Sequence, residues 1–267
     1  ENELRPRFSK DADMIINSLH SIKQEEVVID YSHCPKVELN GTAQSLWACE
    51  FDIMDLPPKE FARQVTIHFA KYFYNVKRSE FLDMAWELPQ LQHRAPNLVR
   101  INNDMNNLTF WCVYKILEEP KPGKERVDVA NYFYKVAKKL YDMQDYQNCG
   151  MLINVFEQHH IHRLKTLLSQ VDSKLQRWAA PVRDTILSND MNMRLPIELS
   201  EKARATGKPC LPYLTAYLKR LGNFSASSSV KKGVVDTTII TQVYQHIKNI
   251  EIFQARKYCF LPIDQAQ

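Results

Sequence analysis

Glycine is scarce in this chain, six among 267 residues. Strand-rich folds lean on Gly-based turns, so the shortage argues for a mostly helical structure. No run of about 18 apolar residues occurs, which leaves no membrane-spanning helix in the sequence. The first residue is Glu1 and no signal-peptide pattern follows it, so the sequence reads as a piece of a longer chain. The six cysteines show no Cys-x-x-Cys spacing, which points to reduced thiols rather than a disulfide framework or a zinc knuckle. A Gly-rich phosphate loop and a Gly-x-Ser-x-Gly turn are also missing, so the chain is neither a GTPase nor a serine hydrolase of that type. A formal net charge of +4, without an RNP-like motif or zinc finger, argues against nucleic acid. His159, His160 and His162 lie too close together for a helical zinc pair and have no acidic partner. They read as a surface loop, and no metal or other cofactor is expected.

What is present is helical periodicity. Phe61, Val65, Phe69, Phe73 and Val76 recur every three or four positions, after Pro57-Pro58 at a favoured place for proline. Similar stripes run over Asn97 to Glu118, Val127 to Met143, Met151 to Phe156, Ile161 to Val171 and Leu175 to Leu187. Pro209 to Pro212 opens a further helix through Tyr213, Tyr217 and Leu221, and a last one carries Val235, Ile239, Val243, Ile247 and Ile250. Pro120-Lys121-Pro122-Gly123 and Ser225 to Ser229 read as loops. Residues 1 to 50 differ. A short helix with Ile15, Leu19 and Ile22, capped by Asp11 or Asp13, precedes an extended piece at Glu26 to Asp30. No fixed repeat period is visible, so the expectation is one irregular all-α domain over 51–262 behind a distinct N-terminal segment.

The stretch Ala62-Arg63-Gln64-Val65-Thr66, its aromatic stripe, Phe81-Leu82 and Trp86 resemble the opening helices of the Ras-type guanine nucleotide exchange factor (RasGEF) catalytic domain. Further motifs follow in the family's order: Asn97-Leu98, Asn106 to Trp111, Glu125-Arg126-Val127, Arg163-Leu164-Lys165, Pro209 to Leu214, and Phe253-Gln254 with Tyr258. The resemblance implies an all-α bundle with a protruding helical hairpin. It also implies a partner, a Ras-family small GTPase, whose switch regions are gripped so that GDP leaves without covalent chemistry. Carried over, Arg63 and Thr66 lie on the GTPase-facing helix, and Tyr213 lines the switch 2 pocket. Tyr217, Lys219, Arg220 and Asn223 belong to the hairpin, while Asn97 and Trp111 are structural supports.

The sequence departs from the family at two places. Asp145, in Gln144-Asp145-Tyr146-Gln147, replaces a neutral amide with an acceptor-only carboxylate, so a GTPase acceptor there meets a negative charge. On the hairpin, Gly222 stands where the family has an apolar wedge, and no Asp or Glu occurs from Lys202 to Val235. Gly222 and the serines argue that this helix ends early. Exchange by prying switch 1 aside, without an acidic phosphate mimic, is one expectation. A degenerate module that binds a small GTPase or other partner without exchange is the alternative. Weak contact of the basic 202–235 region with anionic membranes is a further expectation. The protein is expected to be monomeric and cytoplasmic, recruited to membranes where its GTPase resides, or in the host cytosol if it is a bacterial effector.

Overall fold

The computed structural model describes residues 53–118, 123–188, 193–226, 230–231, 234–235 and 237–262. The short helix and extended piece expected within residues 1 to 50 lie outside them. Helix α1 (Pro58–Asn75) starts with proline at a position whose N–H has no helical partner. It buries Ala62, Val65, Phe69 and Phe73 on one stripe. Fully burying each phenylalanine contributes about 1.5–3 kcal/mol. At its end Val76 turns extended, and the Gln254 side-chain amide donates to the carbonyls of Phe73 and Val76 at 2.7 and 3.0 Å. Gln254 of the Phe-Gln motif therefore caps α1 from the far end of the chain.

Helix α2 (Pro96–Leu117) begins over a buried carboxylate. Glu80 accepts the backbone N–H of Asn97 at 2.8 Å and of Leu98 at 3.2 Å. The Asn97 amide donates to Glu80 and to the Asn75 carbonyl, joining the start of α2 to the end of α1. A negative charge at a helix N-terminus is favoured by the helix dipole, which explains the position of Glu80. Trp111 packs its ring against Phe61 and Phe133, holding α2 to α1 and α3 (Gly123–Asp142).

Helices α1 to α4 form the core, with α4 (Tyr146–Glu157) buried along nearly all its length. Tyr134 of α3 stacks on Phe156 of α4 with centroids 3.9 Å apart. Two short helices, α5 (His159–His162) and α6 (Lys165–Gln170), lead to α7 (Ser173–Ile186), which covers α3 and α4. The three histidines are thus a helical turn rather than a loop. Helix α8 (Arg194–Ala205) was not expected, because its buried face consists of Pro196, Ile197, Ser200 and Ala203 and shows only a thin apolar stripe. Cys112, Cys149 and Cys210 are buried free thiols, but Cys259 is disulfide-bonded, which corrects the expectation of reduced thiols at that position.

The hairpin consists of α9 (Leu214–Ala226), a two-stranded antiparallel ribbon of β1 (Val230–Lys231) and β2 (Val234–Val235), and α10 (Thr237–Gln254). The fold is all-α among the described residues apart from that ribbon. Helix α9 does not stop near Gly222 but runs on to Ala226. Leu218 and Leu221 pack into the core on one side of the glycine and Phe224 does so on the other, so tertiary contacts override a single weak helix former. From Thr237 to Gln245 no residue of α10 is buried, whereas His246, Ile247, Ile250 and Phe253 are. The tip of the hairpin projects and its base is anchored.

Candidate functional site

Beside the anchored part of the hairpin lies a groove of about 680 Å³. One wall is α9, through Thr215, Leu218, Lys219, Gly222 and Asn223. Positions 215, 219 and 222–223 fall one helical turn apart, so they share a face. The opposite wall is Leu98 and Asn102 of α2, together with Met84, Trp86 and Glu87 from the loop that precedes it. That loop carries two successive non-glycine residues at positive φ, Asp83 at 56° and Met84 at 50°. Ala85, fully buried, and an Asp83–Arg94 ion pair at 2.8 Å hold this strained turn in place. It aims Trp86 and Glu87 at α9. A Cβ on Gly222 would lie 3.6 Å from the Met84 sulfur, an ordinary contact, so the glycine is not required by crowding.

The expected site residues divide sharply. Lys219 and Asn223 are exposed and line the groove. Arg220 points elsewhere, its guanidinium 5.9 Å from the Phe224 ring. Tyr213 is half-buried at the root of α9, against Gly150 of α4 and Ile186 of α7, and burial raises its hydroxyl pKa. Four of the expected residues are buried instead of lining the groove. Arg63 is buried and paired with Glu60 at 3.0 Å. Thr66 has no exposed surface and donates its hydroxyl to Asp145 at 2.7 Å. Asp145, equally buried, accepts the backbone N–H of Asn148 at the start of α4, so it caps that helix. Tyr217 is fully buried, stacked on His246 with centroids 5.2 Å apart. These four side chains are packed among the helices and help build the platform.

No acid occurs in α9, yet the fold brings exposed Glu87 from the Trp86 loop into the same groove as Lys219. Sequence reasoning also missed Asn102, Met84 and Thr215. Asn102 and Asn106 are exposed one turn apart on α2, and this polar interruption of an otherwise apolar helix was the available signal. What the groove offers is shape, an aromatic ring, amides and a charge of each sign.

A helical platform with a projecting hairpin beside such a groove defines a protein-docking domain. The sequence model of the RasGEF domain matches residues 60–253, and the chain belongs to that family. It is similar to the Dictyostelium discoideum Ras guanine nucleotide exchange factors J and I, 27% and 26% identical over 233 residues. It also resembles the Ras-specific guanine nucleotide-releasing factor RalGPS1 of Danio rerio, 24% identical over 196 residues. These alignments cover 86%, 86% and 73% of this chain but only 28%, 27% and 33% of the relatives. Among the described residues no helix is long and apolar enough to cross a membrane.

Proposed function

We propose that this domain is a guanine nucleotide exchange factor that binds the switch regions of a Ras-family GTPase and promotes GDP release. The observation that carries the reading is the groove, where Lys219 and Asn223 of the hairpin face Trp86, Glu87 and Asn102 across an open cleft. No covalent chemistry is involved. A protein that binds the nucleotide-free GTPase more tightly than the loaded one must weaken nucleotide binding by the same factor, about 1.4 kcal/mol for each tenfold. The hairpin tip, with no buried residue in the first part of α10, is free to occupy space that switch 1 holds in the loaded GTPase. Glu87 supplies a carboxylate beside the hairpin, whose helix α9 carries none of its own.

Release of a fluorescent GDP analogue from Ras, Rap and Ral GTPases tests the reading. Lys219→Asp and Trp86→Ala are expected to slow stimulated release by about tenfold or more, as central interface residues do. Arg220→Glu, turned toward Phe224, is expected to have a smaller effect. Unchanged release in both groove variants removes the groove from the mechanism. A second reading, GTPase binding without exchange, is favoured by Gly222 at the wedge position. Under it the chain captures loaded and nucleotide-free GTPase equally. We further propose that the protein acts as a cytoplasmic monomer and reaches membranes through its GTPase, aided by weak contact of the basic 202–235 region with anionic lipid.

A further inference from the structure

Asp145 is a fully buried carboxylate whose hydrogen-bond donors are all neutral. Its Oδ2 accepts from the Thr66 hydroxyl and from the Asn148 side-chain amide, both at 2.7 Å, and its Oδ1 accepts from the Asn148 backbone at 3.0 Å. Among the described residues it makes no ion pair. It also sits at a junction. The backbone of Asp145 bridges Leu211 in parallel, with Tyr146 N–H to Leu211 O at 2.9 Å and Leu211 N–H to Gln144 O at 3.0 Å. Leu211 lies three residues before α9, so this bridge is where the hairpin root joins the core. The same carboxylate therefore touches α1 through Thr66, starts α4, and flanks the root of the hairpin.

We propose that Asp145 is a positioning residue for nucleotide exchange: ionised, it ties α1 and α4 to the root of the hairpin, and protonation releases that tie. This rests on the exchange reading above. An ionised carboxylate is acceptor-only and satisfies three donors at once. Once protonated it carries an O–H of its own, so Thr66 or the Asn148 amide must turn. The structure holds a ready acceptor for the new proton, because the Asn148 side-chain oxygen is buried without a hydrogen-bond partner. Swinging that amide to receive the proton withdraws its N–H from Oδ2 and rearranges the first turn of α4 beside the Leu211 bridge.

The surroundings leave Asp145 as the group that titrates. Burial raises its pKa to about 6, with the Asn148 and Thr66 bonds partly opposing that rise. The other titratable groups in its field are Tyr74 of α1, Cys149 of α4, Cys210 before the hairpin and Tyr258 of the C-terminal segment. All are shifted upward by burial and stay neutral. Asp142 at the end of α3 acts on Cys149 and Tyr141, and Glu201 of α8 on Cys210 and Tyr217, while neither contributes to the Asp145 shift.

The test is a pH profile of stimulated GDP release, normalised to spontaneous release, on the full chain. With half-titration at pH about 6, the wild-type rate is expected to fall about fourfold from pH 7.5 to 5.5. D145N is expected to give a flat profile. T66V, which keeps shape but lacks the hydroxyl, is expected to be slow at both pH values, and T66S to restore the wild-type profile. Carbon-13 shifts of the Asp145 carboxyl and amide protection factors over 211–226 are followed in parallel without any GTPase. Titration near pH 6 with a matching loss of protection, but no stimulated release at any pH, overturns the exchange reading and with it this role. Stimulated release with the same pH slope in D145N as in wild type overturns the proposal alone.

Discussion

At Gly150 an added Cβ would lie 2.7 Å from Ile186 Cγ2 and 2.8 Å from Tyr213 Cε2. The ring of Tyr213 rests against the α4 backbone there, which is why a helix interior tolerates glycine at a cost of up to about 1 kcal/mol. Gly150→Ala is expected to destabilise the domain by about 1–3 kcal/mol in urea unfolding, because the clash pushes two packed side chains off their rotamers. It is also expected to shift Tyr213 and weaken GTPase capture, whereas a purely local effect would leave capture intact. Residue spacing identifies Tyr213 as an aromatic near the hairpin root, but it does not say what the ring rests on. The same limit explains Arg63 and Thr66. On α1 the polar positions are nearly as buried as the apolar ones, since Thr66 meets Asp145 from 79 positions away and Arg63 folds back on Glu60. An amphipathic pattern leads one to expect a solvated polar face, and here that face is internal.

Between elements, the hairpin is held by a contact that is legible only in three dimensions. His246 of α10 stacks on Tyr217 of α9 and its ring Nε2–H donates to the Tyr217 carbonyl at 3.1 Å. Burial lowers the His246 pKa to about 4, with the hydrogen bond to Tyr217 opposing and Arg220 reinforcing that shift. The stabilising contribution of this neutral histidine is complete above the ordinary value near pH 6.5 and is lost as pH falls toward 4. Asp145 has the opposite sign. Its raised pKa favours folding at low pH, and that contribution is lost as pH rises from about 4 through 6. Each is worth on the order of 3 kcal/mol across its window. The two offset each other in the wild-type chain, so single variants expose the slopes. Relative to wild type, His246→Gln is expected to gain stability as pH drops from 6.5 to 4.5, and Asp145→Asn to lose it. Urea midpoints at several pH values measure this, and parallel curves for all three proteins would refute the pairing. Keeping Asp145 ionised at neutral pH thus reduces stability in favour of a defined hairpin seat.

Over the whole molecule, charge is gathered by folding as well as by sequence. Lys202 and Lys208 are exposed around the end of α8, and the fold adds Arg256 and Lys257, with Arg256 Nη1 donating to the Arg204 carbonyl at 3.2 Å. Vesicles containing about 30% anionic lipid are expected to bind the chain at low salt and to release it as the Debye length shrinks below about 8 Å. Lys208→Glu combined with Lys257→Glu should abolish that binding, and salt-independent binding would show that charge is not its cause. Much of the architecture was readable beforehand. Glycine scarcity, the apolar periods and the ordered motifs determine an all-α domain of the RasGEF family, because a helix stripe and a turn residue are local features. Tertiary structure alone decided which polar residues are buried and which line the groove. It buried Thr66, Asp145 and Tyr217, carried α9 past Gly222, and set Glu87 opposite Lys219. The physical reason is that burial and charge pairing depend on chain segments far apart in sequence, and no local period records which distant segment arrives to cover a given face.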